Sequence, residues 1–227
     1  MVPDLLRTPE YVAAFIRRRQ GPAVTDVEVA WWTRMWAERQ DVLERSQSSR
    51  LQAVVAESAL RSVVGGGSGT LRGQLERLVR VPDEGGPGDL RVLLTGVGYL
   101  PGVEESFTAY DLPAGYPSPI ACSERLGGIA IHEEGVAELY ANAFERLWES
   151  ALDPQESAAF IGHLATDLST RTNRLKGEGA NQARTVRADH PRAMARPAHA
   201  GATRRTRPDA QVHRRLTGRG VLHARTL

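Results

Sequence analysis

The stretch FTAYDLPAGYPSPIACSERLGGIAIHEEGVAELYANAFERLWES, residues 107–150, decides the fold because its hydrophobic period changes partway along. Its first half holds three short apolar runs, at residues 107–112, 119–123 and 128–132, which are separated by glycine and proline turns and predict antiparallel strands. From about residue 135 the apolar positions recur every three or four residues, which predicts an amphipathic helix. Its expected apolar face consists of Val136, Leu139, Tyr140, Ala143, Phe144, Leu147 and Trp148. Strands followed by a helix of this kind indicate an α+β fold.

Upstream of this stretch, the sequence predicts two helices and a strand. Residues 9–19 and 25–46 have helical periodicity, and the second helix opens with Thr25 and Glu28 at the spacing of a capping box. Residues 51–56 form a short apolar run bounded by polar residues, which is typical of a buried strand.

Three further elements complete the expected fold. The glycines at 65–69 fit neither nucleotide-binding pattern and predict a flexible turn before a helix that begins at Thr70. Residues 90–95 predict the first strand of the antiparallel meander. Asp153, Pro154 and Glu156 supply an N-cap, a proline at the first helical position and an acid at the third, a combination typical of a helix start. We expect this last helix to end near residue 168. We therefore expect N-terminal helices, a small, mostly antiparallel sheet and a C-terminal helical hairpin.

Charge divides the 227-residue chain into two parts. Residues 1–168 hold 15 arginines and 24 acidic residues, a net charge of −9, whereas residues 169–227 hold 14 basic and 3 acidic residues, a net charge of +11. The second part has no aromatic residue and no helical or strand period, so we expect it to be a disordered basic tail. Its composition also fits a GC-rich gene read out of frame. Non-specific binding to nucleic acid is the most that its basic pairs suggest, at Arg204, Arg205, Arg214 and Arg215.

Several kinds of chemistry are excluded or unsupported by the sequence. Residues 1–168 contain no lysine, which excludes Schiff-base catalysis and a phosphate-binding P-loop there. Cys122 is the only cysteine, so the chain can form neither an internal disulfide nor a thiolate zinc site. His132, followed by Glu133 and Glu134, lacks the second histidine of a zinc motif. We expect no metal, cofactor or catalytic residue, although Cys122 with His132 as its base remains the enzyme alternative.

Two sets of aromatic residues are candidate binding residues. Trp31 lies off the stripe formed by Val29, Trp32, Trp36 and Leu43 on the second helix, so we expect it to face a partner or a second copy of the chain. Tyr99, Phe107 and Tyr110 are candidates for the lining of a small-molecule pocket beneath the sheet, with ordinary core packing as the competing interpretation.

The chain has neither a signal-peptide pattern at its start nor a run of about 18 apolar residues. We therefore expect a cytoplasmic protein that does not associate with membranes.

Several motifs, taken in order, resemble one known family. Residues 2–11, VPDLLRTPEY, resemble the opening VPGLLQTPEYA of a domain of unknown function found C-terminal to Xre-type helix-turn-helix modules in antitoxin-like transcriptional regulators of high-GC bacteria. Arg39 and Gln40, with Leu43, are similar to that family's RQ..L helix. Residues 57–61, ESALR, followed by the glycines and QLERL at 74–78, resemble its DEAxLRxxxGG…QLxxL segment.

The later motifs continue the resemblance. Residues 107–110, Glu124 and ALDPQES at residues 151–157 look like the family's FTLL, YVE and ALSPEES signatures. Asp4 departs from the family's usual glycine, and residues 95–96 depart from its usual Pro-Phe. Because Met1 falls inside the family's opening, we expect the helix-turn-helix module to be missing from this chain.

The resemblance implies a non-catalytic regulatory or partner-binding domain of a transcriptional regulator. The implied partner is a small cognate protein encoded nearby, and a homodimer is a second possible association. Sequence-specific DNA binding would need the missing helix-turn-helix module. The alternatives are the small-molecule sensor at Tyr99, Phe107 and Tyr110, and the enzyme at Cys122 and His132.

Overall fold

The computed structural model describes residues 1–45, 50–81, 88–112, 116, 118–125, 128–186 and 223–226. After a short 3-10 turn at Asp4–Leu6, the helices are α1 (Pro9–Gln20), α2 (Asp26–Arg45), α3 (Glu57–Arg61), α4 (Ser68–Arg80), α5 (Glu134–Ser150) and α6 (Pro154–Val186). The strands are β1 (Arg50–Ala56), β2 (Gly88–Leu93), β3 (Ser106–Asp111), β4 (Ile120–Arg125), β5 (Gly128–Glu133) and β6 (His223–Thr226). The α+β class is confirmed.

Two units divide the chain. The first, called the body here, consists of residues 1–170 and 220–227 and contains the whole sheet. The second consists of residues 171–219, of which the structure describes the continuation of α6 to Val186.

The six strands form one sheet in the order β2-β1-β6-β3-β4-β5. β1 pairs in parallel with β2 and with β6, and the remaining three pairs are antiparallel. The mostly antiparallel sheet is confirmed, and β3, β4 and β5 form the expected meander. The sequence-based order is wrong for β2, which lies at the far edge beside β1 and does not neighbour β3.

Each face of the sheet packs against a different set of helices. On one face, Ala53, Val55 and Val92 pack with α4 and with Ile161 and Leu164 of α6. On the other face, Val54, Leu93 and Phe107 pack with Ala143, Phe144 and Leu147 of α5. Consecutive residues of a strand point to opposite faces, so α5 and α6 lie on opposite sides of the sheet. They follow each other in the chain, but they do not pack together as the expected hairpin would.

Helix α5 buries less of its apolar face than its periodicity suggests. Ala143, Phe144 and Leu147 are buried, whereas Val136 and Leu139 are exposed. The buried residues of its C-terminal half pack against Val54 of β1, Leu93 of β2 and Phe107 of β3. Its first turns therefore leave two large apolar side chains in contact with solvent.

The predicted capping box at Thr25 and the predicted helix cap at Asp153 are both confirmed. The Glu28 amide donates to Thr25 Oγ1 at 3.2 Å, and the Thr25 amide donates to Glu28 Oε2 at 2.9 Å. The Glu156 amide donates to Asp153 Oδ1 at 2.8 Å, with the Asp153 amide 3.3 Å from Glu156 Oε2. Each pair satisfies amide groups that a helix start leaves without a partner.

The connection between α5 and α6 also covers the edge strand β2. The Leu152 amide donates to the Val92 carbonyl at 2.9 Å, and the Val92 amide donates to the hydroxyl of buried Ser157 at 2.9 Å. These bonds satisfy backbone groups that an edge strand would otherwise leave exposed. The ALDPQES segment therefore has a structural role in closing the sheet edge.

The expected disorder of residues 169–227 falls mostly on residues 187–222, which lie outside the described residues. At two segments the structure differs from that expectation. Helix α6 continues to Val186, and His223–Thr226 form β6 within the sheet. The basic pairs of the tail also lie outside the described residues.

We expect Ser157→Ala to lower the free energy of unfolding by about 1 to 3 kcal/mol, because the variant leaves the buried Val92 amide without an acceptor. Urea denaturation of the full chain measures this change. The matched control is Ser169→Ala on the same helix, since the Ser169 hydroxyl donates to the Ala165 carbonyl of its own helix. Equal effects of the two substitutions would contradict the role of Ser157 at the sheet edge.

Candidate functional site

The residues at the start of the chain run through the interior of the body. Val2, Leu5 and Leu6 are buried in the main core, and the polar side chains of Asp4 and Arg7 are also buried. The backbone groups of this segment must find partners inside the protein because water does not reach them. They meet side chains from α2 and α4.

Two glutamines supply those backbone partners. Gln40 of α2 donates from Nε2 to the Arg7 carbonyl at 2.7 Å and to the Asp4 carbonyl at 3.4 Å. Gln74 of α4, fully buried, donates from Nε2 to the Leu6 carbonyl at 2.8 Å. Its Oε1 accepts from the Thr8 amide, also at 2.8 Å. A carboxamide suits this position because it both donates and accepts.

Two ion pairs lie beside the glutamines and form a buried polar cluster. Asp4 Oδ2 is 2.8 Å from Arg39 Nη2, and Asp4 Oδ1 accepts from the Leu5 amide at 2.8 Å. Arg7 Nη2 is 3.7 Å from Glu124 Oε2 on β4. The two carboxylates balance the two guanidinium groups. The cluster consists of Asp4, Arg7, Arg39 and Glu124, and it joins the first residues, α2 and β4.

Arg7 makes several contacts in the interior, but one nitrogen of its guanidinium group has no hydrogen-bond partner. Its side chain is 1% exposed, its Nε donates to the Val2 carbonyl at 2.8 Å, and its guanidinium carbon lies 5.0 Å from the ring centre of Phe15. Arg7 Nη1 and Glu124 Oε2 are buried without a hydrogen-bond partner. A donor and an acceptor without hydrogen bonds therefore lie within the same cluster, although Glu124 Oε2 is ion-paired with Arg7 Nη2.

A small cavity adjoins the cluster on the face of the sheet opposite α5. It is lined by Asp4, Arg7, Arg39, Ser106, Phe107, Thr108, Tyr110, Cys122, Glu124, Ile129 and Thr226. Its volume is about 20 Å³, which is room for roughly one water molecule and far below the several hundred Å³ of a typical ligand pocket.

The environment of the cavity favours the neutral forms of Tyr110 and Cys122. Burial, followed by the nearby Asp4 carboxylate, raises the pKa of the Tyr110 hydroxyl. Burial also raises the pKa of the Cys122 thiol, although Arg39 opposes the shift. A thiol with a raised pKa is a poor nucleophile because the thiolate is the reactive form.

The structure separates the three residues proposed for a small-molecule pocket. Phe107 and Tyr110 line the cavity, and Tyr99 does not. Tyr99 is 77% exposed, and its hydroxyl donates to Glu104 Oε1 at 3.0 Å. Tyr99 lies on the connection between β2 and β3, and β1 and β6 separate those two strands in the sheet.

Cys122 and His132 point to opposite faces of the sheet. His132 is directly opposite Ala121 in the β4–β5 register, and Cys122 is directly opposite Ile131. Directly paired residues share a face and neighbours along a strand alternate, so the thiol and the imidazole cannot form a nucleophile–base pair. His132 Nε2 instead lies 3.0 Å from Ser123 Oγ. Ser123 is fully buried, which leaves its hydroxyl inaccessible to a substrate.

Trp31 lies on the exposed side of α2, as its position predicted. It is 42% exposed, and its ring packs edge-on against Trp32 with 4.8 Å between the ring centres. Val27, one helical turn earlier, is 79% exposed. The two side chains form an exposed apolar surface, called the Trp31 surface here.

An open groove of about 420 Å³ lies along α4 and α6. Its lining residues are Glu76, Val79, Arg80, Gly162, Ala165, Thr166 and Ser169.

Within the described ranges, no three or more His, Cys, Asp or Glu residues come together in a way that could hold a metal ion. The same ranges contain no helix with the length and apolar character needed to cross a membrane.

Comparison with known protein families matches residues 1–163 to the family described as Domain of unknown function (DUF5753). Comparison with curated proteins and with solved structures finds no match.

We expect Arg39→Met to destabilise the full chain by about 2 to 4 kcal/mol, because it leaves the buried Asp4 carboxylate unpaired. The double variant Asp4→Asn/Arg39→Met removes both charges and keeps an acceptor for the Leu5 amide. It should therefore be more stable than Arg39→Met alone. Urea denaturation of the three proteins provides the comparison, and a double variant less stable than Arg39→Met would refute a buried ion pair.

We also expect iodoacetamide to alkylate Cys122 more slowly in the native chain than in the urea-unfolded chain at pH 8. The alkylation rate increases as the thiol ionises, and burial raises the pKa of the Cys122 thiol. The increase should therefore occur at a higher pH in the native chain than in the unfolded chain. Because the unfolded state then ionises first, this thiol should also lower stability as the pH rises through the ordinary thiol range. Mass spectrometry follows the labelling, and Cys122→Ser is the unlabelled control. Native labelling as fast as unfolded labelling would contradict the expected shift.

Proposed function

The chain belongs to the DUF5753 family of domains of unknown function, and from that premise we propose that it is the non-catalytic, partner-binding regulatory domain of an antitoxin-like helix-turn-helix transcriptional regulator. The proposed partner is a small cognate protein encoded nearby, and the proposed location is the cytoplasm. The observation that carries this proposal is the Trp31 surface.

The Trp31 surface has the properties of a binding hot spot. Tryptophan is enriched at hot spots because one side chain covers a large area and loses little conformational entropy. The edge-on contact with Trp32 holds the Trp31 ring in place, and Trp32 in turn packs against Trp36 with 5.7 Å between the ring centres. Trp36 is buried in the core formed by α1 and α2. A ring preorganised in this way can bind without first becoming ordered.

Charge favours a basic partner. Residues 1–168 have a net charge of −9, and charge complementarity accelerates association and selects among partners. The same acidic charge opposes DNA binding by residues 1–168, since phosphate contacts require basic groups. Any sequence-specific reading of DNA belongs, in this proposal, to a helix-turn-helix module of the regulator.

The geometry supports the two alternative functions less well. A small-molecule sensor would need a larger space than the cavity beside Phe107 and Tyr110, which has room for about one water molecule. An enzyme using Cys122 and His132 would need the two side chains on one face of the sheet, and the β4–β5 register puts them on opposite faces.

We expect Trp31→Ala to weaken binding of the cognate small protein by at least about tenfold, which corresponds to roughly 1.4 kcal/mol. Isothermal titration of the purified full chain with each small protein encoded beside its gene measures the affinity. The matched control is Val63→Ala, because Val63 is 54% exposed but lies outside the Trp31 surface.

The same variants should differ little in stability. Trp31→Ala removes one aromatic contact at an exposed position, so we expect a loss of about 1 kcal/mol in the free energy of unfolding. Unchanged affinity of Trp31→Ala would refute the surface as the binding site. A loss of several kcal/mol would identify Trp31 as a core residue.

A further inference from the structure

Strand β6 occupies a slot in the middle of the sheet. It pairs in parallel with β1 on one side and antiparallel with β3 on the other. It has four residues, whereas the other five strands have six or seven. Without β6, the facing edges of β1 and β3 would lack backbone partners, and unpaired strand edges readily bind another strand.

The occupant of the slot is held chiefly by its backbone. Ala224 is paired with Leu51 of β1 and with Tyr110 of β3. Thr226 is 2% exposed, and its hydroxyl lies 3.0 Å from Thr108 Oγ1 and 3.2 Å from the Phe107 carbonyl oxygen. Backbone pairing depends little on sequence, so a different extended segment could make the same ladders.

Beside the slot lie two buried polar atoms with which β6 forms no hydrogen bond. Thr226 lines the same cavity as Arg7 and Glu124. Arg7 Nη1 is a buried donor without a partner, and Glu124 Oε2 is a buried acceptor without a hydrogen bond. The threonine hydroxyl is hydrogen-bonded to Thr108 and to the Phe107 carbonyl of β3, and to neither of these groups. A side-chain carboxamide at this position could accept from Arg7 and donate to Glu124 at the same time.

We propose that the slot between β1 and β3 is a binding site for an extended segment of a second protein that carries Asn or Gln at the position Thr226 now takes. His223–Thr226 occupies the site from within the chain, and the partner segment displaces it. The incoming segment runs parallel to β1 and antiparallel to β3, and its carboxamide bonds to Arg7 and Glu124. This site goes beyond the Trp31 surface, because it recognises a strand by backbone pairing and one polar side chain.

The test uses the full chain with Ala224→Pro, which removes a backbone donor of β6 and opens the slot. The probes are fluorescein-labelled peptides with the sequence of residues 220–227, GVLHARTL, and the same peptide with Gln or Asn in place of Thr226. Fluorescence anisotropy measures binding. We expect the Gln or Asn peptide to bind Ala224→Pro about tenfold more tightly than the Thr peptide does, and more tightly than it binds the wild-type chain. A peptide with proline at the Ala224 position is the control and should not bind.

Two outcomes of the peptide experiment would overturn the proposal. If none of the peptides binds a folded Ala224→Pro chain, the slot does not accept a strand. If the Thr, Asn and Gln peptides bind equally, the cavity holds only water and selects no side chain. Should Ala224→Pro fail to fold, hydrogen exchange of the wild-type chain replaces it. Excess Gln peptide should then speed the exchange of the amides of residues 223–226, and unchanged exchange would overturn the proposal.

Discussion

The structure depends on one buried segment of the chain, whose backbone N–H and C=O groups cannot form hydrogen bonds with water. Between Asp4 and Thr8 the chain passes through the interior, and two glutamine side chains, Gln40 and Gln74, replace the solvent. Each buried group left unpaired would cost about 1 to 3 kcal/mol. The reach of a glutamine side chain is short, so this requirement fixes α2 and α4 against the first residues. Three of the motifs on which the family resemblance rests, VPDLLRTPEY, RQ..L and QLERL, meet at this one place.

The same arrangement explains the buried charges. Arg39 precedes Gln40 on α2 and pairs with Asp4. Arg7 extends from the same segment to Glu124 on β4. Pairing makes the burial of four charged groups tolerable but contributes little net stability. The cluster therefore specifies one arrangement of the first residues on the sheet. Arg7 Nη1 and Glu124 Oε2, which lack hydrogen bonds, are the groups that we propose a partner's carboxamide recognises.

Sequence predicted the parts of the fold that depend on short-range contacts. The capping boxes at Thr25 and at Asp153 follow from side chains that reach three residues along the chain, and the periodicity of α5 follows from its own residues. Gln74 carried a signal that was missed, since it lies between Leu71 and Leu78 on the buried stripe of α4. A polar residue at a core position indicates a buried partner. Its partners, the Leu6 carbonyl and the Thr8 amide, are more than 60 residues away, and no local pattern identifies them.

The strand order and the presence of β6 could not be predicted from the sequence for a related reason. Low apolar content over residues 169–227 predicts that the tail cannot form a core of its own. A four-residue strand between two existing edges does not need one, because β1 and β3 supply backbone partners on both sides and α4, α5 and α6 already cover the two faces of the sheet. Composition averaged over the tail cannot detect such a segment, since its stability comes from the edges it joins. An extended segment from another protein would gain the same backbone bonds, so a strand held in this way can be replaced by a better one.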